Sequence, residues 1–239
     1  MTPMHVLAAE LSDLLRLASP PLGIAFAAEA APSSAAAYEA AYPPPAADGR
    51  TGAVSAGCVF WTKAADRSFS TTAADHANCS VGSYTHGFKR LEEVAGNDDV
   101  AALFASGWVT EADIPAIATV RERPGSVTYG PLRDFATDPD VVFLRLNPKQ
   151  AMVLDDAVSG VRFEGKPQCH IVAIAKEAKD IAISVGCMLS RVRTGMSNNE
   201  MTAAIPAGRL AEVVEKLRTN AATERAVAIY AAQDAARFG

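Results

Sequence analysis

The sequence predicts an α+β fold, with helices packed on a mixed sheet, and three observations carry that expectation. Short apolar or β-branched runs at 22–28, 69–73, 126–129, 141–146, 181–186 and 201–205 read as strands. Apolar residues recur at helical spacing at Leu7, Leu11, Leu14 and Leu15, and again at Leu210, Val213, Val214 and Leu217. With 49% hydrophobic residues in 239, the chain can bury a sizeable core.

The elements follow in order. An amphipathic helix opens the chain and stops at Pro20-Pro21, and Leu22 to Ala28 reads as a buried strand. Residues 29–50 are rich in Ala, Pro, Ser and Gly and read as a long surface loop. A short helix begins near Cys58, Phe69 to Thr72 suits a strand, and Cys79 to Gly87 reads as a loop. Residues 88–118 are helical in pieces, interrupted at Gly96-Asn97 and Gly107. Pro124-Gly125 turns into the strand at 126–129, and Asp140 to Leu146 is the clearest strand of the chain. Asn147-Pro148 then offers an N-cap and a first-turn proline. A strand at Val161 to Phe163, a helix at Cys169 to Ala178 and strands at 181–185 and 201–205 precede the last helix, which ends in an Ala-rich tail. The whole, 1–239, reads as one domain.

The second half echoes the first. Cys58 and Cys169 each start a helix that leads to a strand, and Cys79 and Cys187 each open a segment reaching a glycine eight residues on, Gly87 and Gly195. Two similar halves, 17–130 and 131–220, sharing one core about a pseudo-twofold axis, would bring two cysteines from each to one place.

Composition narrows the function classes. With 22 basic and 27 acidic residues the net charge is -5, and no basic run exceeds two residues, so nucleic acid is not an expected partner. No stretch reaches the roughly 18 apolar residues of a membrane span. Glu10, Asp13 and Arg16 interrupt the N-terminal apolar residues, unlike a signal peptide. The expectation is a cytoplasmic protein whose four cysteines stay reduced or bind metal. GxGxxG and GxxxxGK phosphate loops, a GxSxG elbow and HExxH are all absent.

The residues left with chemistry are few. Four thiols, Cys58, Cys79, Cys169 and Cys187, match the ligand count of zinc or an iron–sulfur cluster, although none forms a Cys-x-x-Cys pair. Packed core cysteines remain the alternative. Tyr84 and His86 lie in the segment after Cys79, where a near-neutral imidazole suits a ligand site. Arg191 and Arg193, on the same side of an extended stretch beside Cys187, suit the anionic group of a small molecule. A third possibility is a thiol enzyme, with Cys79 or Cys187 as nucleophile and His86 as base. Asp98-Asp99 and Asp155-Asp156 read as solvated caps.

These segments resemble the domain of unknown function 169 family. The matching stretches are Leu17 to Ala27, Gly57-Cys58, Cys79 with Gly82 and Gly87, Pro139 to Gln150, and Cys169 to Ile205. In that family cysteines commonly stand at these four places, which implies a shared role as ligands of an iron–sulfur cluster or another thiolate-held metal. The chain departs from many relatives in having Asn78-Cys79-Ser80 in place of Trp-Cys-Pro, and Val59 in place of Gln. The resemblance implies no activity.

Overall fold

The computed structural model describes residues 2–31, 35–38, 58–77, 79–194 and 196–238. The fold is α+β, and its centre is a seven-stranded mixed sheet in the order β2-β3-β1-β4-β7-β6-β5. The strands are β1 (Leu22–Ala27), β2 (Phe69–Thr71), β3 (Ser126–Pro131), β4 (Val141–Leu146), β5 (Arg162–Glu164), β6 (Ala182–Ser184) and β7 (Met201–Pro206). All neighbours pair antiparallel except β5 with β6.

Read outward from the central β1·β4 pair, the two sides correspond. β3 and then β2 follow on one side, β7 and then β6 on the other, with β5 added at that edge. The helices correspond as well. α2 (Cys58–Lys63) precedes β2 and α3 (Ser80–Thr85) follows it, as α7 (His170–Ala173) precedes β6 and α8 (Met188–Thr194) follows it.

Side-chain alternation divides the core into two layers, one on each face of the sheet. Val142, Leu144, Ala203 and Ile205 face a layer built with Leu11 of α1 (Met4–Leu15), Leu154 of α6 (Pro148–Ala157) and Val214 of α9 (Leu210–Phe238). Val141, Phe143, Ala182 and Ala204 face the other, with Phe60, Trp61, Cys169 and Ile171. The small Ala182 and Ala204 let α7 lie close over β6 and β7, where it runs on as a π turn, Ile174–Ala178. Because both faces are covered, β4 is apolar on both sides, which makes it legible as a continuous run. Asn147 caps α6 as expected, accepting from the Gln150 amide at 3.0 Å while Gln150 Oε1 accepts from the Asn147 amide at 2.8 Å.

Three expectations are corrected. Cys79 to Gly87 is not a loop, since α3 fills it. Cys79 Sγ accepts from the Gly82 amide at 3.3 Å, and Asp99 accepts from the Ser80 amide at 3.2 Å and hydroxyl at 2.7 Å. Asp99 is therefore no solvated cap but the anchor of α3, from the start of α5 (Asp98–Ala105). The Arg191 segment is helical, not extended; Gly186 at φ 96 turns the chain into α8, and Ser190 Oγ bonds the Cys187 carbonyl at 2.9 Å. The alignment of alternate residues along a strand does not apply there, and the side chain of Arg193 lies outside the described residues. Of the proposed 29–50 surface loop, 32–34 and 39–50 lie outside the described residues. Tyr38 within it is buried, edge-on to Phe60 at 4.8 Å.

Candidate functional site

Each cysteine stands at the start of a helix: Cys58 begins α2, Cys79 caps α3, Cys169 caps α7 and Cys187 immediately precedes α8. The antiparallel β1·β4 pairing places both halves' helices on one face, and α2 packs on α8. All four are free thiols, three of them buried and Cys58 half-buried. Burial pushes the Cys58 thiol well up, and Cys79 and Cys187 push it further. Burial likewise raises Cys169, and Cys58, Cys79 and Cys187 all add to the effect. Coulombic influence fades with distance, so the four sulfurs share one neighbourhood. Among the described residues, no three His, Cys, Asp or Glu side chains are drawn together closely enough to hold a metal ion as they stand.

Polar groups surround the sulfurs. Gln168 Nε2 donates to Cys58 Sγ at 3.3 Å, Thr85 Oγ1 donates to Cys169 Sγ at 3.2 Å, and the Cys187 thiol faces Ser190 Oγ at 3.6 Å. Tyr129 is fully buried; burial raises its hydroxyl first, then Cys169 and Cys58. The Thr85, Gln168 and Tyr129 positions carry no sequence signal beyond Gln168 and Thr85 adjoining residues already of interest. Among the described residues, Gln168 Oε1, His76 Nδ1 and His86 Nε2 are buried without a hydrogen-bond partner.

His86 is buried, stacked on Phe26 at 5.8 Å, and its centroid lies 5.3 Å from that of His76. Burial lowers its pKa to about 4, against a smaller opposing effect of the Gly82 carbonyl, so the ring is neutral at pH 7. Its Nδ1 lies 3.1 Å from that carbonyl, which only accepts, so the proton sits on Nδ1 and Nε2 is bare. His76 is lowered by burial and by His86.

The remaining expected residues lie elsewhere. Tyr84 lines an apolar cavity with Val81, Leu91, Leu103 and Trp108. Arg191 Nη2 is engaged with the carbonyls of Val185, Asn198 and Glu200 at 3.0, 3.2 and 3.0 Å, closing the segment between β6 and β7. Among the described residues no helix is long and apolar enough to cross a membrane.

Fold and site together define an α+β protein with four free thiols at the starts of four helices, Cys58 and Cys169 in the same core layer. Residues 10–216 match the family described as uncharacterised ArCR, domain of unknown function 169, and the chain belongs to that family. No curated protein and no solved structure matches it.

Proposed function

We propose that the chain carries a thiolate-bound metal or iron–sulfur centre on Cys58, Cys79, Cys169 and Cys187. The observation that carries this reading is four mostly buried free thiols from four separate elements, with Cys58 and Cys169 each raised by burial and by neighbouring cysteines. Ionising several thiols together in an apolar interior is costly, and a soft cation that replaces their protons removes the cost. Four sulfurs match a tetrahedral zinc site or a cubane or two-iron cluster. Loading would draw the sulfurs inward from their present spacing. The donors around the sulfurs suit thiolates, since the Gln168 amide reaches Cys58 Sγ at 3.3 Å and the Thr85 hydroxyl reaches Cys169 Sγ at 3.2 Å.

Two other readings have less support. An anion site built on Tyr84, His86, Arg191 and Arg193 would need a guanidinium that Arg191 spends on three carbonyls. A nucleophilic thiol at Cys79 or Cys187 calls for His86 as its base, and the Nδ1 of that ring is held by the Gly82 carbonyl at 3.1 Å.

The test is metal and acid-labile sulfide content, with a visible spectrum, on protein purified without oxygen. Near-stoichiometric metal that is lost in Cys187→Ala supports the reading. A colourless, metal-free, well-folded protein that takes up neither iron nor zinc on reconstitution overturns it.

A further inference from the structure

The two edges of the sheet are finished differently. At β2 the Ser70 amide donates to the Ala36 carbonyl at 2.8 Å and the Ser70 carbonyl accepts from the Tyr38 amide at 3.1 Å, so residues 36–38 close that edge. At the other edge β5 is the last strand, with no further strand beyond it among the described residues. The Arg162 amide donates to the Ile181 carbonyl at 2.9 Å, in register with the parallel neighbour β6. In such a ladder the N–H and C=O of one residue face the neighbouring strand and those of the next residue face away. The amide and carbonyl of Phe163 therefore point outward from the open edge. Outward, unpaired groups of this kind are a template for another strand.

The side chains at that edge are complementary to themselves. Phe163 stands beside Ile183 in the register and shares its face of the sheet, yet 54% of Phe163 is exposed. Arg162 and Glu164 lie on the opposite face, where the Arg162 guanidinium meets Glu164 at 2.7 Å and Asp180 at 3.3 Å. A second β5, antiparallel about a twofold axis at Phe163, sets the two Phe163 rings opposite one another and Arg162 of each copy opposite Glu164 of the other. The two Phe163 residues then exchange both backbone hydrogen bonds. Aromatic pairs and opposite charges are favourable directly across strands. A Cβ added at Gly165 would meet nothing within 4 Å, so the space beside the edge is open. We propose that β5 is an interaction surface for a second copy of this chain, the two copies joining edge to edge about that axis and continuing the sheet from one to the other. The arrangement is isologous, each copy giving and receiving the same contacts. Strands this short bury little surface, which places the contact among weak, reversible associations. The inference stands apart from the thiolate reading, because it uses none of the cysteines.

The experiment is sedimentation velocity on the reduced protein over a rising concentration series, in wild type, Arg162→Glu and Glu164→Arg. Wild type should move from monomer toward dimer as the concentration rises. Each variant sets like charges opposite one another twice across the axis and should weaken association about tenfold or more. An equimolar mixture of the two variants restores opposite charges at both places and should associate as wild type does. If either variant does not fold by circular dichroism, hydrogen exchange on wild type reads the same contact, and the Phe163 amide should exchange more slowly as the concentration rises. A wild type that stays monomeric throughout overturns the inference. Wild-type affinity in both single variants, a mixture no tighter than its components, or a Phe163 amide indifferent to concentration in a dimerising protein overturns it as well, and puts the contact elsewhere.

Discussion

Lowering the pH from 7.5 to 5 probes the burial of His86 directly. Its pKa is about 4 in the folded chain, against 6.5 for an exposed ring. A base whose folded pKa is depressed is protonated first in the unfolded chain, so the stability it permits is intact above pH 6.5 and is lost as the pH falls toward 4. At pH 5 the unfolded ring is largely charged and the folded ring largely neutral. The resulting loss is about 2 kcal/mol, and it levels at about 3 kcal/mol below pH 4. His76 and His170, also lowered chiefly by burial, add in the same direction. The lowered carboxyls of Glu93, Asp113, Glu212 and Glu224 act below this window. Urea unfolding of the metal-free protein across the range should show the midpoint falling by about 1 M between pH 7.5 and 5, for a slope near 2 kcal/mol/M. His86→Gln, whatever its absolute stability, should flatten that dependence. If the two proteins show the same pH slope, the burial argument for His86 is wrong.

Four further outcomes follow from the same structure. The metal-free protein should lose stability as the pH rises above about 9, because the raised Cys58 and Cys169 thiols stay protonated in the folded chain while unfolded thiols ionise; alkaline urea titrations measure this. Gly186→Ala should cost more than 1 kcal/mol, since a Cβ at φ 96 would meet Arg191 Nη1 and displace the guanidinium that closes the segment; equilibrium unfolding checks it. Glu200→Gln breaks the two-pronged pair with Arg145, at 2.7 and 2.8 Å and largely shielded from water, and should cost about 1–2 kcal/mol by the same measurement. Truncation after Ala226 removes only exposed residues of α9 and should leave the melting temperature within about 2 °C.

What the chain revealed before folding tracks how local the cause was. Val141 to Leu144 announced β4 because both its faces are buried, and Asn147-Pro148 announced α6 because its cap is built from neighbouring residues. α3 stayed hidden because Gly82 and Ser83 weaken the helical pattern and its anchor, Asp99, stands 19 residues from Ser80. The helix carrying Arg191 was obscured by the alternation of Arg191 and Arg193 around Val192, which mimics a strand. The cysteines could be picked out as residues. Their meeting could not, since it depends on the pairing of β1 with β4 across the middle of the sheet. Thr85, Gln168 and Tyr129 carry ordinary polar side chains whose importance comes only from which sulfur they face.

That central pairing has a mechanical consequence. β1 and β4 share three residue pairs, Leu22 with Phe143, Gly23 with Val142 and Ile24 with Val141, whereas β1·β3 and β4·β7 share six each. The backbone zipper where the two sides of the molecule meet is half as long as the pairing on either side of it. A metal held by the four thiols, as proposed above, would be a clasp over this joint. It would slow hydrogen exchange at Ile24 and Val141 more than at the outer strands, so that occupancy would be felt as stiffness in the middle of the sheet.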